Sequence, residues 1–309
     1  MKSIGKSQVL NRKEPLLSRI SRNKVSYLFV APYVILFFTF TALPVIISIF
    51  FSFTHFNLLE MPVFVGFDNY IRLFLEDDIF IRAIGNTMII ALLTGPMGYL
   101  LCLLFAWLIN ELPRIWRTIL TVIFYAPSIS GNLFLIWGLF FHNDAHGYMN
   151  SWLIRFGFIS SPILWFNDPR YMMPLLVAIT LWASIGTTFL AFIAGLQGVD
   201  AQLYEAGAMD GIRNRWQELW YITLPSMKPQ MMFGAVMSIT GAFGAGGIVT
   251  ALFGFPSTEY AVHTIINHLE DYGGLRFEMG YASAIAVLLF FLMITCNKVI
   301  QRMLSKVGE

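Results

Sequence analysis

Charge is what this sequence has least of. Of its 309 residues, 12% are Asp, Glu, Lys or Arg and 57% are hydrophobic, whereas about a quarter of a soluble domain is charged. That scarcity excludes an ordinary soluble globular protein and leaves an integral membrane protein. Cysteine is nearly absent too: Cys102 and Cys296 both sit inside hydrophobic runs, which argues against a disulfide framework or a thiolate metal site and for buried thiols. The five histidines fall in loops or, for His55, at the end of a run, so no Ser/His/Asp or paired-carboxylate arrangement for a membrane enzyme can be assembled. A phosphate-binding loop is missing as well. Gly5-Lys6-Ser7 has neither the glycine five residues earlier nor the preceding strand that such a loop needs. The beginning of the chain does not read as a cleavable signal, because its basic stretch is over twenty residues long and the apolar run after it exceeds a signal core.

What is present is a set of six runs without Asp, Glu, Lys or Arg: residues 27–53, 83–109, 118–141, 172–196, 230–253 and 281–297. Each is long enough to cross about 30 Å of hydrocarbon as a helix. The segments between them alternate in charge. Residues 1–24, 110–117, 200–229 and the C-terminal stretch hold fifteen Lys or Arg, whereas the three alternate loops hold five, with eleven acidic residues. The bias of Lys and Arg towards the cytoplasm then sets both termini inside. The expected organisation is an all-α integral membrane protein with six transmembrane helices. A basic cytoplasmic tail covers residues 1–26, the membrane domain 27–300 and a short cytoplasmic tail 301–309, anchored by Lys298, Arg302 and Lys306.

The loops on the far side offer weaker signals. Residues 67–74 read as an amphipathic helix capped by Asp68 or a residue near it and resting at the outer interface through Phe67 and Tyr70. His142, Asp144 and His146 cluster in a turn-like stretch without a fourth ligand, so a metal is not expected; residues 151–158 read as a short apolar interfacial helix around Trp152. His263 and His268 would lie about 140° apart on a helix running from a Ser257 or Thr258 cap to Leu269, which keeps them from sharing a face. Pro44, Pro96 and Pro127 fall inside runs and are expected to kink them.

Two runs carry polar or small stripes. In the fourth, Thr180, Ser184 and Thr187 fall at i, i+4 and i+7, with Trp182 and Thr188 beside them; in the fifth stand Ser238, Gly241, Ala242, Phe243 and Gly244-Ala245-Gly246-Gly247. Small residues allow close helix packing in a membrane, and hydroxyls can bond back to their own helix. The same residues also suit a path for a polar solute, with hydroxyls to hydrogen-bond it and Trp or Phe faces to stack on sugar rings. Few charges on that path favour a neutral solute, while the outer histidines and Arg276 leave acidic sugars open.

Between those two runs lies residues 200–229, DAQLYEAGAMDGIRNRWQELWYITLPSMKP, too charged for lipid and too apolar for a linker. Asp200 is a good N-cap for a helix to about Met209, Gly211 offers a left-handed turn, and residues 213–221 read as a second helix with Trp216, Leu219 and Trp220 on one stripe until Pro225 stops it. Glu205-Ala206-Gly207, Asp210-Gly211 and Ile222-Thr223-Leu224-Pro225 resemble the EAA loop of permease subunits of bacterial ABC importers, with Gly207 where the motif usually has a second alanine. Gly66-Phe67-Asp68-Asn69-Tyr70, Gly85-Asn86-Thr87, Ala31-Pro32-Tyr33, Leu43-Pro44 and Ser52-Phe53-Thr54 resemble the MalF-like carbohydrate importers within that group.

The resemblance implies a coupling helix that docks into a separate ATPase subunit, with Glu205, Ala206, Gly207, Asp210, Gly211, Leu224 and Pro225 as the coupling residues. It also favours a substrate path along Thr180, Trp182, Ser184, Thr187, Thr188, Ser238, Gly241 and Phe243. The implied assembly comprises a second, different permease subunit, two ATPase subunits, an extracytoplasmic solute-binding protein, a sugar substrate and the surrounding lipid, in the plasma membrane of a bacterium. No cofactor is expected on this chain, which would be non-catalytic; ATP and Mg would belong to the ATPase, and nucleic acid is not an expected partner. The alternative from another class is an ion-coupled secondary transporter, which usually needs an intramembrane acid or base that these runs lack.

Overall fold

The computed structural model describes residues 24–129, 131 and 133–305, with the side chain of Leu133 left aside. Most of the basic tail expected over residues 1–26, and Lys306, lie outside them. The chain divides into two compact units, Met1–Phe50 and Phe51–Glu309. In the first, the described residues belong to helix α1 (Lys24–Phe51). It contains one wide π turn at Phe38–Ala42, where the Leu43 N–H bonds to the Phe38 carbonyl five residues back. Pro44 follows at once. Proline lacks an N–H and its ring crowds the carbonyl four residues earlier, so the widened turn accommodates it without ending the helix.

The second unit opens with a short antiparallel hairpin, β1 (Thr54–His55) and β2 (Val63–Phe64), Thr54 opposite Phe64. Helix α2 (Asp68–Leu75) follows. Asp68 does not cap it: the N-cap is Phe67, with no side-chain hydrogen bond. What fixes α2 is burial. Leu73 is fully buried, the Asn69 amide donates to the Ser52 and Thr54 carbonyls at 2.9 Å each, and the Tyr70 hydroxyl donates to Ser52. The helix is packed into the fold rather than resting only on an interface, although Phe67 is exposed.

Helix α3 (Asp78–Asn110) is 33 residues long, about 50 Å at 1.5 Å per residue. The Asp77 carboxylate caps it by accepting from the Phe80 N–H at 2.8 Å. After a turn at Leu112-Pro113, α4 (Arg114–Ile129) begins the third apolar run. This run is not one spanning helix. Among the described residues α4 ends at Ile129, Gly131 takes φ +56, and a 3-10 turn (Leu133–Leu135) leads into the short α5 (Ile136–Phe140). Pro127 and the left-handed glycine together account for the interruption. Among the described residues, five helical stretches are long and apolar enough to cross a membrane: Lys24–Phe51, Asp78–Asn110, Pro169–Gln197, Lys228–Phe253 and Met279–Leu304.

The outer loop after α5 is organised by a residue with no sequence-level mark. Asn150, on α6 (Tyr148–Arg155), is fully buried; its amide donates to the His142, Asp144 and Ile163 carbonyls and accepts from the Ile163 N–H and the Trp165 indole. His142 pairs with Asp144 at 3.1 Å. The helix here is Tyr148–Arg155, earlier than residues 151–158.

The fourth and fifth runs are each two helices with a break between. Helix α7 (Pro169–Ala183), capped by Asp168, ends at Ser184; Gly186 is neither helical nor extended (φ −141, ψ −125), and α8 (Thr187–Gln197) follows. After the intervening polar segment, α11 (Lys228–Phe243) ends at Gly244, and α12 (Gly246–Phe253) restarts after Ala245. The segment itself contributes α9 (Ala201–Met209) and α10 (Arg215–Glu218). Helix α13 (Ile265–Glu270) and the final α14 (Met279–Leu304) complete the unit.

Three buried clusters hold these pieces together. One, around Cys102, Phe189, Phe192, Leu224 and Met227, lies under the polar segment; a second joins Ile90, Leu176, Ile179 and Val249; a third joins Leu73, Phe80, Ile265 and Ile285. Several close approaches depend on glycine, Gly98 and Gly234 among them. A Cβ on Gly98 of α3 would stand 2.6 Å from the Ser184 hydroxyl, and one on Gly234 of α11 would stand 3.0 Å from the Phe192 ring. Outward-facing Leu92, Leu100, Ile115, Val122 and Phe291 are exposed, the apolar coat a bilayer requires.

Candidate functional site

The polar segment folds from its caps inward. The Asp200 carboxylate accepts from the Gln202 N–H at 3.0 Å and starts α9. Gly211, at φ +94, ends it in a Schellman motif: the Ile212 N–H bonds to the Gly207 carbonyl (2.9 Å) and the Gly211 N–H to that of Ala208 (3.3 Å). The Asn214 side chain then caps α10 through the Gln217 N–H. Pro225 does not stop this second helix. A π turn at Leu219–Thr223, with the Leu224 N–H on the Leu219 carbonyl, passes straight into the turn Leu224–Ser226. It repeats the device of α1: a five-residue π turn, then Leu-Pro. The Thr223 hydroxyl donates to the Glu218 carbonyl at 3.2 Å and accepts from Tyr204 of α9 at 2.9 Å, tying the two helices across the wide turn.

The seven residues matched to the EAA pattern divide between two faces. Glu205, Ala206, Asp210 and Gly211 are exposed, next to Met209, which is 89% exposed. Gly207 and Leu224 are buried and Pro225 half-buried. Gly207 faces Ile222: a Cβ there would stand 2.5 Å from the Ile222 Cδ1 and 3.0 Å from that of Ile212. Trp216, Leu219 and Trp220 do not share one buried stripe, because Leu219 is buried whereas both tryptophans are largely exposed. Trp216 lies on Trp107 near the end of α3, ring centroids 4.9 Å apart. Beside it Arg215 bridges Glu218 (2.7 Å) and Glu111 (3.2 Å). Trp107, Glu111, Arg215 and Glu218 line a small cavity of about 190 Å³ between the segment and the end of α3.

A larger cavity of about 690 Å³ lies where the two broken runs meet. Its walls come from both breaks, from Thr94 of α3, from Pro127 and Ser128 of α4 and from Gly131. Thr180, Trp182, Ser184, Thr187, Thr188, Ser238 and Gly241 all line it. Phe243 is not among the lining residues; it is buried at 3% exposure. Thr94, Ser128, Phe134 and Thr240 join the wall, and the sequence offered no pattern that set them apart. Trp182 packs edge-on against Trp137 at 5.4 Å. The size fits a small-molecule site, roughly 300–1,000 Å³.

Residues 98–306 match the family described as "Binding-protein-dependent transport system inner membrane component". The chain belongs to this family. It is similar to the probable ABC transporter permease protein YesP of Bacillus subtilis, 32% identical over 85% of each chain, and to the arabinooligosaccharides transport system permease protein AraP of the same organism, 30% identical over 90% of this chain and 87% of AraP. Among solved structures it resembles a chain of a bacterial alginate ABC transporter, in complex with an alginate pentasaccharide-bound periplasmic protein. That match has a TM-score of 0.74 and 25% identity, covering 96% of this chain and all of the other. The protein is therefore a multi-pass permease of a bacterial inner membrane.

At the opposite end of α3 from the polar segment, the permease carries a buried polar network. Asp77 accepts from the His268 Nε2 (2.9 Å) and the Tyr281 hydroxyl (2.7 Å) while its other oxygen caps α3. Burial alone raises the Asp77 pKa, but the hydrogen bonds from His268, Tyr281 and the Phe80 N–H outweigh it and hold the carboxyl well below its usual range. His263 and His268 are not on separate faces of one helix. His263 precedes α13, whose cap is Thr264 rather than Ser257 or Thr258, so the chain folds back and brings the rings to 5.6 Å. Burial, then the neighbouring His268, lowers the His263 pKa to about 4. Arg72 bonds Glu278 at 2.5 Å and lies over the Tyr281 ring, and Arg276 bonds Asp271 over Tyr272. These cations and histidines stand outside the large cavity.

Proposed function

We propose that this permease is the membrane subunit of an ATP-driven, binding-protein-dependent importer of sugars or oligosaccharides. Six segments cross the membrane in this reading, the third through its interrupted helices, with both termini and residues 200–229 in the cytoplasm. The large cavity is the substrate's way through. The observation that carries this is the junction of two features in one stretch of chain: the broken runs that wall the cavity are the same two that continue directly into α9 and α10. The relatives' names, arabinooligosaccharides for one and alginate for another, supply the substrate class.

The exposed face of α9, with Glu205, Ala206, Met209 and Asp210, docks on a separate ATPase subunit. ATP and Mg are held there, none on this chain. A second permease subunit contributes the other half of the path, its own ATPase partner completes the pair, and an extracytoplasmic solute-binding protein delivers the sugar. ATP binding draws the two coupling segments together and turns the bundle from inward-facing to outward-facing around the cavity.

Glu205→Lys tests the docking. In proteoliposomes containing the whole assembly, it is expected to abolish sugar uptake and sugar-stimulated ATP hydrolysis while the subunit still inserts and assembles. Full transport by that variant would falsify the role. Uptake that stops on collapse of the proton gradient, yet runs without the ATPase, would favour an ion-coupled transporter instead.

A further inference from the structure

The hydroxyls of the large cavity are numerous, but their protons are mostly committed. Thr94 donates to the Ile90 carbonyl (2.8 Å), Ser128 to Ile185 (2.9 Å), Ser184 to Leu181 (2.7 Å), Thr188 to Gly234 (3.2 Å) and Thr240 to Val236 (2.9 Å). Because the Thr188 proton is used, the 3.3 Å contact between Thr188 and Ser238 must be a donation by Ser238. A hydroxyl has one proton and two lone pairs. Six wall hydroxyls therefore keep acceptor capacity and no proton to offer.

Two lining hydroxyls are exceptions: Thr187 is exposed and makes no hydrogen bond among the described residues, and the second is Thr180. It is 5% exposed, lies in the same wall, and its Oγ1 is buried without a partner among the described residues. A threonine in a membrane helix ordinarily bonds back to its own turn. Leaving a buried hydroxyl unmade costs stability, and such an exception calls for an explanation. None of the described lining residues is Asp, Glu, Lys, Arg or His.

We infer that the cavity selects an uncharged, hydroxyl-rich saccharide over an acidic one, and that Thr180 is a specificity-determining donor to it. Each hydroxyl of a neutral sugar can donate to a wall that mostly accepts, and Trp182 and Phe134 supply apolar faces for the rings. A carboxylate, sulfonate or phosphate is acceptor-only. On this subunit's wall it would face lone pairs, with no cation among the described lining residues to offset its desolvation. None of the outer-loop arginines lines the cavity, and of these Arg72 and Arg276 are paired with Glu278 and Asp271. This inference rests on the sugar-importer reading above.

The test uses the complete transporter, both permeases and both ATPases, in nanodiscs. Binding is measured for neutral gluco-, arabino- and xylo-oligosaccharides and for length-matched oligogalacturonates. The neutral series is expected to bind about tenfold or more tighter, the scale of one uncompensated buried charge. Thr180→Val, which keeps the shape and removes the hydroxyl, is expected to weaken neutral-sugar binding about three- to tenfold, the scale of one hydrogen bond, with thermal stability of the complex unchanged or raised; Thr180→Ser retains binding. Met237→Arg places a cation on the wall from a partly exposed position and is expected to raise oligogalacturonate affinity. Oligogalacturonates binding as tightly as neutral sugars to the unmodified complex would overturn the inference while leaving the importer reading intact. So would a stable Thr180→Val complex with unchanged affinities. If no saccharide binds or stimulates ATP hydrolysis, the sugar reading itself fails and this inference with it.

Discussion

Gly207 sets up a quantitative test of how the coupling segment is built. The motif that this stretch resembles carries alanine at that position, and alanine is favoured over glycine in a helix by about 1 kcal/mol. Here the added methyl would stand 2.5 Å from the Ile222 Cδ1 and 3.0 Å from the Ile212 Cδ1, against roughly 3.5–4.0 Å for a relaxed carbon pair. Ile222 is buried at 8% exposure, so its terminal methyl must withdraw by about 1 Å into packed surroundings. Overpacking of that kind costs about 1–3 kcal/mol. Gly207→Ala alone should therefore destabilise by about 0–2 kcal/mol. Ile222→Val alone deletes the clashing Cδ1 and leaves a gap, at about 0.5–1.5 kcal/mol. Together the two changes exchange one methyl for another across the same contact. The double variant should be at least as stable as wild type, giving a coupling of about 0.5–3.5 kcal/mol, the sum of the two single losses. The assay is thermal unfolding of the assembled transporter in nanodiscs for wild type, both singles and the double, with ATPase stimulation measured alongside. Additivity within about 0.5 kcal/mol, the expectation for independent sites, would show that the Gly207–Ile222 contact does not set the packing of α9 against the π turn.

The outer network predicts a pH response of defined sign. His263 falls from 6.5 to about 4 on folding, so between those values the unfolded chain binds more protons; stability is full above about pH 6.5 and is lost as the pH falls towards 4. Asp77, also lowered, adds loss in the same direction at the acid end. Hydrogen-exchange protection factors of residues 255–281, taken relative to the intrinsic rate at each pH, should fall on acidification, and His263→Gln should flatten that dependence between pH 6.5 and 4; an unchanged profile in the variant would count against burial as its cause. At the break between α7 and α8, Gly98→Ala sets a Cβ 2.6 Å from the Ser184 Oγ and 3.2 Å from its Cβ. It should destabilise by about 1–3 kcal/mol and recover in the Gly98→Ala, Ser184→Gly double variant, read by thermal unfolding; equal losses in both would point elsewhere.

How far the sequence could be read depended on whether the deciding interaction was local. The cap at Asp200, the end of α9 at Met209 and the left-handed Gly211 are written within a few residues of where they act, and the apolar runs announce themselves by length. Asn150, Asp77 and the pairing of His263 with His268 were not legible, because each joins segments brought together only by packing; Asp77 and His268 are 191 residues apart. Thr94, Ser128 and Thr240 reach the cavity wall for the same reason. Asp68 failed as a cap because burial of Leu73 and Asn69 fixes α2 without one.

Pro225 is the instructive miss, because the local rule behind it is sound. A proline removes an N–H and crowds the carbonyl four residues back, and from sequence alone that reads as an end. The chain instead widens the preceding turn, so that Leu224 reaches back five residues to Leu219 and the proline enters a helix already opened for it. The same arrangement precedes Pro44 in α1, where the sequence is also Leu-Pro. In the coupling segment the widened turn also needs support, because π hydrogen bonding is rare on its own. Thr223 supplies it by donating to the Glu218 carbonyl and accepting from Tyr204. The Leu-Pro of the motif is therefore better understood as the exit of a π turn than as a helix stop. Its position fixes how α9, through Tyr204 and Gly207, rests on the helix that leads into the cavity wall.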